Sequence, residues 1–458
     1  MRSALDEYLE SLKGKQVAVL GIGISNLPLI ELLLSAGIHV TACDKREREA
    51  FDGVIEDLES KGAACRLGSD YLEHLDGMNI IFRTPGMRPD LPQLERARAQ
   101  GAEITSEMEV FFSVCPCRMI AVTGSDGKTT TTTIIAGLLN ASGYRTYVGG
   151  NIGRPLLSQA GEMRPDDMVV LELSSFQLMT MKQSPDVAVI TNLSPNHLDV
   201  HKNMQEYIDA KKNIFLHQAS DCKLVLNADN ELTAACEAEA RGIVTMFSRQ
   251  KSLGRGVWLK DGMIVCDSRP VLPVKDILVP GVHNVETYMA AIAAVDGLVS
   301  DETIHSYAKS FGGVPHRIEL VRELNGVRYY NDSIASSPSR TIAGLRSFNQ
   351  KVILIAGGYD KHIPYDVLGP EVTRAVKTLI LVGATGPKIK EAVLSAPDYR
   401  TGEPVILERE TLQEAVNTAY DMAQPGDVVI LSPASASFDQ FKNFEERGNT
   451  YKKFVKQL

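Results

Sequence analysis

Residues 119–130 read Met-Ile-Ala-Val-Thr-Gly-Ser-Asp-Gly-Lys-Thr-Thr, an apolar strand that runs into a glycine loop and then into a helical pattern. Backbone N–H groups at the start of such a helix, together with a lysine ammonium, form a cradle for phosphate groups. A standard phosphate-binding loop has a glycine where Val122 stands, so we interpret this loop as a shortened variant. The order of strand, glycine loop and helix indicates an α/β protein whose ligands bind at the carboxyl ends of parallel strands.

A second α/β unit precedes this loop. Residues 17–26 read Val-Ala-Val-Leu-Gly-Ile-Gly-Ile-Ser-Asn, a buried strand and a glycine turn, and a further strand ends at Asp44. Asn26 stands where the dinucleotide fingerprint has its third glycine, so the turn alone is weak evidence for NAD and is also compatible with a turn that merely packs. Polar residues after these strands favour a nucleotide-diphosphate site. Its candidate residues are Ile24, Ser25, Asn26, Asp44, Lys45, Thr84, Pro85 and Gly86.

A third unit begins after Pro315. Apolar runs at 352–356, 379–382 and 428–431 each end in small or polar residues, and helical patterns separate them. Continuous apolar strands of this kind imply a parallel sheet covered on both faces. We therefore predict an α/β fold of three domains. They are a Rossmann-like N-terminal domain (1–106), a central P-loop ATPase-like domain with a parallel sheet (107–313) and a C-terminal Rossmann-like α/β domain (314–458).

The composition excludes several classes of protein. With 458 residues, 44% hydrophobic and 23% charged, the chain is globular and too long for one ordinary core. A formal net charge of −9 without a long basic run argues against a nucleic-acid partner. No stretch approaches the ~18 consecutive apolar residues of a membrane span, and the N-terminus carries acids, so we expect a cytoplasmic protein without membrane insertion. Seven scattered cysteines favour reduced thiols over disulfides or zinc.

Six motifs, taken in chain order, resemble the successive motifs of the Mur ligase family and span nearly the whole chain. They are residues 123–130, 172–177 (Glu-Leu-Ser-Ser-Phe-Gln), 192–201, 207–211, His283-Asn284 and His316-Arg317. Residues 431–445, Leu-Ser-Pro-Ala-Ser-Ala-Ser-Phe-Asp-Gln-Phe-Lys-Asn-Phe-Glu, resemble the C-terminal signature of the D-glutamate-adding member. The resemblance implies an ATP-dependent ligase of peptidoglycan precursor synthesis. Its small-molecule substrates would be D-glutamate and UDP-N-acetylmuramoyl-L-alanine, joined through an acyl phosphate with release of ADP and phosphate.

The chemistry requires such residues independently of the family. Joining a carboxylate to an amine in water needs activation, and positioning and charge neutralisation dominate phosphoryl transfer from ATP. Lys128 is expected to hold the β- and γ-phosphates, as the lysine of a Gly-Lys-Thr loop does. The expected ATP-binding residues of the loop are Gly124, Ser125, Asp126, Gly127, Lys128, Thr129 and Thr130, and the family resemblance adds Asn284, Arg317 and Asp332. We expect two Mg²⁺ ions. Thr129 and Glu172 offer oxygen ligands for them, and the family resemblance adds His197 and Lys211, the last as a carbamate.

Each of these assignments has a plainer alternative. Glu172 could be a helix N-terminal acid, the loop 192–201 a solvated turn, and Lys211 a surface lysine. The family pattern selects Lys211 over Lys212, assigns Lys128, Glu172, His197 and Lys211 to catalysis, and leaves Asp199 and His201 as supporting groups. It also places Asn151 near the UDP-linked substrate.

For D-glutamate the resemblance points to Lys361, Ser437 and Phe444, the last through its backbone. Two positions depart from the family pattern. Thr287 replaces an asparagine expected near adenine, and Ile334 replaces a lysine two residues after Asp332. We expect Lys361 or Arg340 to supply the missing charge, although a solvated helix residue is an equal alternative for Arg340.

Four other functions compete. A sister ligase for another amino acid, or a folylpolyglutamate synthetase, would share the central loop, and residues 439–444 favour D-glutamate over both. A nicotinamide-dependent oxidoreductase leaves Lys128 and Glu172 unexplained. A regulatory ATP-binding module is disfavoured by the many polar groups at strand ends. We expect a monomer.

Overall fold

The computed structural model describes residues 3–197, 200–279, 281–361 and 363–458. The chain divides into two compact units, one of residues 1–274 and 286–307 and the other of residues 275–285 and 308–458. Two β-sheets lie in the first unit and one in the second. The structure confirms the predicted α/β class.

The first sheet has five parallel strands in the order β3-β2-β1-β4-β5. The strands are β1 (Gln16–Leu20), β2 (His39–Asp44), β3 (Ala64–Leu67), β4 (Ile80–Phe82) and β5 (Glu103–Thr105). The helices of this part are α1 (Ala4–Ser11), α2 (Leu27–Ser35), α3 (Val54–Ser60), α4 (Pro92–Ala99) and α5 (Glu107–Val114). The strand order reverses between β1 and β4, and such a switch point opens a ligand crevice at the carboxyl ends of the strands.

The second sheet, as far as the described residues show it, has nine strands in the order β14-β13-β12-β11-β10-β9-β6-β8-β7. They are β6 (Arg118–Thr123), β7 (Thr146–Gly150), β8 (Met168–Glu172), β9 (Val187–Ile190), β10 (Lys223–Asn227), β11 (Ile243–Ser248), β12 (Val257–Lys260), β13 (Met263–Cys266) and β14 (Arg269–Pro273). The run from β7 to β12 is parallel, and the β12–β13 and β13–β14 pairs are antiparallel. The helices that follow these strands are α6 (Lys128–Ala141), α7 (Ser175–Leu178), α8 (Met204–Lys212), α9 (Glu231–Ala234), α10 (Val282–Val295) and α11 (Asp301–Ser310).

Among the described residues, the third sheet has the order β15-β16-β20-β17-β18-β19; the β15–β16 pair is antiparallel and the other four pairs are parallel. Its strands are β15 (Glu319–Leu324), β16 (Val327–Asn331), β17 (Val352–Ala356), β18 (Val376–Leu381), β19 (Val405–Glu408) and β20 (Val428–Leu431). The helices are α12 (Pro338–Leu345), α13 (Leu368–Ala375), α14 (Gly386–Leu394), α15 (Leu412–Met422) and α16 (Phe444–Gln457).

Both faces of this third sheet are buried. Leu354 and Ile430 belong to the core on one face, and Ile353 and Val429 belong to the core on the other. Successive side chains of a strand point to opposite faces, so an unbroken apolar run is what a doubly covered sheet requires. The prediction from these runs is therefore confirmed, although the sequence did not reveal β15, β19 or the antiparallel strands β13 and β14.

Candidate active site

The phosphate-type loop lies between β6 and α6 and is fixed by the segment after β9. Gly124 has φ +146°, and a Cβ atom there would lie 2.0 Å from Thr191 Oγ1, so this position accepts only glycine. Ser125 N donates to Asn192 O at 2.9 Å, and Ser125 Oγ donates to Ser194 O at 2.9 Å. The loop is thus held in shape by hydrogen bonds to the segment after β9.

Gly127 precedes α6 and has no side chain with which to cap it. The first N–H groups of a helix lack partners within the helix, so this helix start can receive an anion. Lys128, the first residue of α6, folds back over the loop and donates from Nζ to Gly124 O at 3.0 Å and to Ser125 O at 2.8 Å. Lys128 therefore lies at the loop, as the sequence predicted.

Glu172 is the last residue of β8 and is 1% exposed. Its Oε2 accepts a hydrogen bond from Thr129 Oγ1 at 2.7 Å, and its Oε1 accepts one from Asn151 Nδ2 at 2.7 Å. Asn151 N also donates to Glu172 O at 2.7 Å. The structure joins Thr129, Glu172 and Asn151 in one cluster, and the alternative of a helix N-terminal acid is wrong for Glu172.

Lys211 lies beneath the phosphate-type loop and is 2% exposed. Its Nζ donates to Gly124 O at 2.8 Å and to Thr123 Oγ1 at 3.1 Å. Burial and the ammonium of Lys128 lower the pKa of Lys211 well below its ordinary value, and the opposing effect of Glu172 is smaller. The surface-lysine alternative is therefore wrong for Lys211, whereas Lys212 pairs with Glu239 at 2.6 Å.

The two histidines of the 192–201 segment differ in environment. His197 is exposed, has φ +54°, and contacts the edge of the Phe176 ring at 5.4 Å between centroids. His201 is 2% exposed, stacks on Phe176 at 5.2 Å, and its Nε2 hydrogen-bonds Ser175 Oγ at 2.9 Å. His201 is thus a packed supporting group, as expected, and Asp199 lies outside the described residues.

The donors at Glu172 suit magnesium. Carboxylate and hydroxyl oxygens are the hard ligands that Mg²⁺ prefers, and Thr129 and Glu172 present both kinds within hydrogen-bond distance. Within the described ranges, no group of three or more His, Cys, Asp or Glu side chains is assembled that could hold a metal. The assignment of His197 and of carbamylated Lys211 to the same ions therefore stays a prediction.

A cavity of about 570 Å³ lies at the carboxyl ends of β1, β2 and β4. It contains the predicted residues Ile24, Ser25, Asn26, Asp44, Lys45, Thr84 and Gly86, while Pro85 and Asn151 are not among its lining residues. Asn26 is 2% exposed and donates from Nδ2 to Leu20 O at 2.9 Å, which ties the turn to the end of β1. Seven of the predicted residues therefore line one pocket, and nucleotide binding there stays a prediction.

Asp44 is saturated by groups of the protein itself. Its Oδ1 accepts from Arg46 N and Nε, and its Oδ2 accepts from Ile22 N and Arg46 Nη2, at 2.8–3.0 Å. Burial acts to raise the pKa of Asp44, but these hydrogen bonds outweigh it and lower the pKa below its ordinary value. A carboxylate has about four acceptor positions, so none is left for the ribose hydroxyls of a dinucleotide.

We expect UDP to bind this pocket at least about tenfold more tightly than NAD⁺, because the acidic group that a dinucleotide ribose needs is already occupied. Titration calorimetry with UDP, NAD⁺ and a mixture of the two measures both affinities and their competition. Tight NAD⁺ binding would contradict the pocket assignment and restore the oxidoreductase alternative.

In the second unit, Asp332 follows β16 and is 4% exposed. Its Oδ2 accepts from Ser432 Oγ at 2.7 Å, and its Oδ1 accepts from Ile318 N at 3.3 Å. Burial raises the pKa of Asp332 to about 7, and Ser432, Ile318, Arg317 and Arg340 oppose that rise. Arg317 is half-buried and acts electrostatically on this carboxyl, and its role at the nucleotide stays a prediction.

Arg340 reaches back from α12, and its Nη1 donates to Ile334 O at 3.2 Å. The guanidinium therefore occupies the neighbourhood of the missing lysine, although the side chain is exposed. Thr287 on α10 is 5% exposed, and its Oγ1 lies 3.9 Å from where a Cβ of Gly127 would be. Thr287 thus packs beside the phosphate-type loop, and Asn284 is buried one turn earlier on the same helix.

A ribose contact at Asp332 gives ATP binding a pH dependence. Because the pKa of Asp332 is raised to about 7, the carboxyl loses its charge as the pH falls below 7 and becomes a poorer acceptor for ribose hydroxyls. We expect Asp332→Asn to raise the KM for ATP about tenfold at pH 8, since hydrogen bonds to charged groups contribute about 1.5 kcal/mol or more. Below pH 6 the KM values for ATP of the wild type and of Asp332→Asn should converge. Because protonation of ATP affects both KM values equally, their ratio does not depend on it. A ratio that does not change with pH would contradict the ribose assignment.

The loops expected at D-glutamate are joined to one another. Tyr359 N, two residues before Lys361, donates to Ala436 O at 2.9 Å, next to Ser437, which is 2% exposed. Lys361 is exposed. The Phe444 carbonyl accepts from Ser333 Oγ at 2.7 Å. The contact of the Phe444 backbone with D-glutamate stays a prediction.

The sequence reasoning missed three groups of functional interest. Thr191 and Asn192 support the phosphate-type loop, Arg447 bridges Ser333 and Ala436 while 4% exposed, and Arg88 lines the nucleotide pocket. Arg447 gives no local sequence signal, because its partners Ser333 and Ala436 lie more than ten positions away.

Family models match the chain in three consecutive stretches. They are described as "Mur ligase MurD-like, N-terminal domain" (residues 15–106), "Mur ligase middle domain" (122–295) and "Mur ligase, glutamate ligase domain" (316–435). Among the solved structures, UDP-N-acetylmuramate-alanine ligase from Thermotoga maritima is similar in fold. Its TM-score is 0.57 at 19% identity, covering 97% of this chain and 99% of that one.

Curated relatives match over their full lengths. The UDP-N-acetylmuramoylalanine--D-glutamate ligases of Acetivibrio thermocellus and Ruminiclostridium cellulolyticum are each 54% identical to the chain, with 100% of both sequences covered. The enzyme of the same name from Clostridium beijerinckii is 51% identical over the same full coverage.

Proposed function

The chain belongs to the Mur ligase family, and we propose that it is an ATP-dependent ligase that joins D-glutamate to UDP-N-acetylmuramoyl-L-alanine. The observation that carries this proposal is the 54% identity, over the whole of both sequences, to enzymes named for that reaction. The reaction transfers the γ-phosphoryl group of ATP to the substrate carboxylate, and the amine of D-glutamate then attacks the acyl phosphate. The products are the amide, ADP and phosphate, and the role is in peptidoglycan precursor synthesis.

The phosphate-type loop supports the ATP half of the proposal. Its N–H groups and Lys128 receive the phosphates, and Thr129, Glu172, His197 and carbamylated Lys211 would hold the Mg²⁺ ions. Bound Mg²⁺ would neutralise charge that develops on the transferring phosphoryl oxygens. The protein groups supply positioning: Asn151 orients Glu172, and the segment after β9 fixes the loop.

The remaining assignments complete the ligase. The pocket beside β1 receives the uridine diphosphate of the substrate. The negative charge of the diphosphate is complemented by Lys45 and by the N–H groups of the turn, which line the pocket. Asn284 contacts the adenine and Asp332 the ribose of ATP, and Arg317 contacts the nucleotide phosphates. Lys361, Ser437 and Phe444 receive D-glutamate.

Three domains with boundaries at 1–106, 107–313 and 314–458 carry these sites. We expect the protein to act as a monomer in the cytoplasm, where ATP is supplied. Among the described helices, none combines the length and apolar character needed to cross a membrane.

The test is phosphate release from ATP and Mg²⁺ in the presence of UDP-N-acetylmuramoyl-L-alanine, with each candidate amino acid in turn. D-glutamate should give stoichiometric phosphate and amide product, and L-glutamate, L-alanine and diaminopimelate should not. Preference for another amino acid would point to a sister ligase, and activity on a folate with L-glutamate would point to a folylpolyglutamate synthetase.

A further inference from the structure

Two arginines bracket the loop of residues 84–87 on the wall of the nucleotide pocket. Arg83 is 1% exposed and donates from Nη2 to Phe176 O at 3.3 Å and to Thr180 Oγ1 at 2.7 Å. Both acceptors follow Glu172 in the chain, so this end of the loop is bound to the segment that leaves β8. Arg88 makes the corresponding connection from the other end of the loop.

Arg88 donates five hydrogen bonds. Nε and Nη2 bind the two carboxylate oxygens of Asp90 at 2.8 and 2.9 Å. Nη1 binds Val200 O at 2.8 Å and Glu206 Oε2 at 3.1 Å, and Nη2 also binds Glu206 Oε1 at 2.9 Å. A guanidinium has five N–H groups, so every donor of Arg88 is used.

The saturation of Arg88 by protein acceptors distinguishes a phosphate ligand from a residue that holds protein groups together. Arg88 lines the nucleotide pocket, where an arginine would ordinarily be taken for a phosphate ligand. Because no N–H group remains, Arg88 cannot bind a diphosphate without giving up a bond to Asp90, Val200 or Glu206. The planar guanidinium of Arg88 instead holds protein groups together.

The residues that Arg88 binds are in contact with residues next to the phosphoryl-transfer site. Glu206 Oε2 lies 3.4 Å from His201 Nδ1, and His201 Nε2 hydrogen-bonds Ser175 Oγ, three residues after Glu172. The next residue of α8, Tyr207, hydrogen-bonds Ser125 of the phosphate-type loop at 2.9 Å. The bonds from Arg88 lower the pKa of Glu206 to about 2, so this carboxylate stays charged at any working pH.

We propose that Arg88 is a positioning residue that fixes α8 and the 192–201 segment against the nucleotide pocket, and thereby sets the geometry of Lys211, His197 and the phosphate-type loop. This proposal rests on the proposed ligase function. Arg88 does not contribute binding energy to the uridine nucleotide. It fixes the position of the phosphoryl-transfer site relative to the pocket. An error of about 1 Å in this relative position can cost about 100-fold in rate.

The expected result is a separation of kcat from KM. Arg88→Gln should lower kcat at least about tenfold, while the KM for the UDP-linked substrate and the calorimetric Kd for UDP stay within about threefold of the wild type. Arg88→Lys keeps the charge but not the fork, so it should recover only a small part of kcat. A tenfold or larger rise in Kd for UDP with kcat preserved would overturn the proposal and make Arg88 a nucleotide ligand.

A double-mutant cycle with Glu206→Gln tests whether the pair acts as one unit. The two changes together should lower kcat no more than either alone, because each breaks the same connection. Arg96→Gln is the matched control: it removes the exposed Arg96–Glu73 ion pair of the same sheet unit and should change no parameter. Multiplicative effects of Arg88→Gln and Glu206→Gln would show independent roles and overturn the coupling.

Amide hydrogen exchange of residues 200–212 gives a readout that does not depend on turnover. Arg88→Gln and Glu206→Gln should raise exchange in this segment, and Arg96→Gln should not. Unchanged exchange would contradict the proposal even if the variants were slow. A wild type that does not turn over with D-glutamate would refute the ligase function alone, and the exchange comparison would still decide the role of Arg88.

Discussion

Replacing Lys128 by alanine is expected to lower kcat for ligation at least about 100-fold and to leave the fold intact. The Lys128 ammonium contacts the carbonyl groups of Gly124 and Ser125, so its charge lies beside the anion cradle formed by the start of α6. A preorganised cation at a transferring phosphoryl group stabilises the transition state by about 3 kcal/mol or more, because no solvent has to reorganise during the reaction. The hydrogen bonds that the free enzyme loses contribute only about 1 kcal/mol each to stability.

Stopped assays of phosphate release at saturating ATP measure kcat, and thermal unfolding checks the fold. Lys13→Ala, which removes an exposed ion pair with Glu10, serves as a control that should behave as the wild type. If Lys128→Ala kept more than a tenth of the wild-type kcat, the phosphate-type loop would not be the site of transfer.

The phosphate-type loop and the carboxylate beside it could be predicted from the sequence. The Gly-Lys-Thr stretch predicted a helix start with a lysine over an anion cradle, and the position of Glu172 after an apolar strand predicted a carboxylate at the same edge. Both predictions are local, because a strand, a loop and a helix start are set by residues that are neighbours in the chain. The structure confirms them with the Thr129–Glu172 hydrogen bond.

What the sequence did not show depends on pairings between distant positions. The support of the loop by Thr191, the bridge of Arg88 to Glu206, and the bond from Ile22 N to Asp44 appear only after the strands are ordered in space. The antiparallel strands β13 and β14 were missed for a related reason: they are short, and their partners are chosen by the edge of the sheet as much as by their own residues.

Enzyme freed of CO₂ is expected to lose most of its activity, and added bicarbonate should restore it, if Lys211 functions as a carbamate. Carbamate formation requires the neutral amine: the nitrogen attacks the carbon of CO₂, a new N–C bond forms and one proton leaves. Burial and the neighbouring ammonium of Lys128 depress the pKa of Lys211, which raises the fraction of neutral amine at neutral pH. The product is a carboxylate-like oxygen donor beside the phosphate-type loop, a suitable ligand for Mg²⁺.

Lys211→Ala should lower kcat about 100-fold, and small carboxylates such as formate or acetate should restore part of it by supplying the missing anion. Lys212→Ala is the matched control, since Lys212 follows on the same helix and pairs with Glu239 at the surface. It should retain wild-type activity and the same response to bicarbonate. Full activity of Lys211→Ala without any additive would rule out a role for the modified side chain.

The carbamate prediction also has a spectroscopic consequence that links the two lysines. Removing the Lys128 charge removes the second-largest cause of the low pKa of Lys211, so the amine of Lys211 should be more often protonated in Lys128→Ala. With ¹³C-bicarbonate, the carbamate signal of the wild type should therefore weaken in Lys128→Ala and recover as the pH is raised, and it should be lost in Lys211→Ala. A signal of equal strength in Lys128→Ala at every pH would show that burial alone keeps Lys211 neutral, and a signal that persists in Lys211→Ala would place the carbamate on another residue.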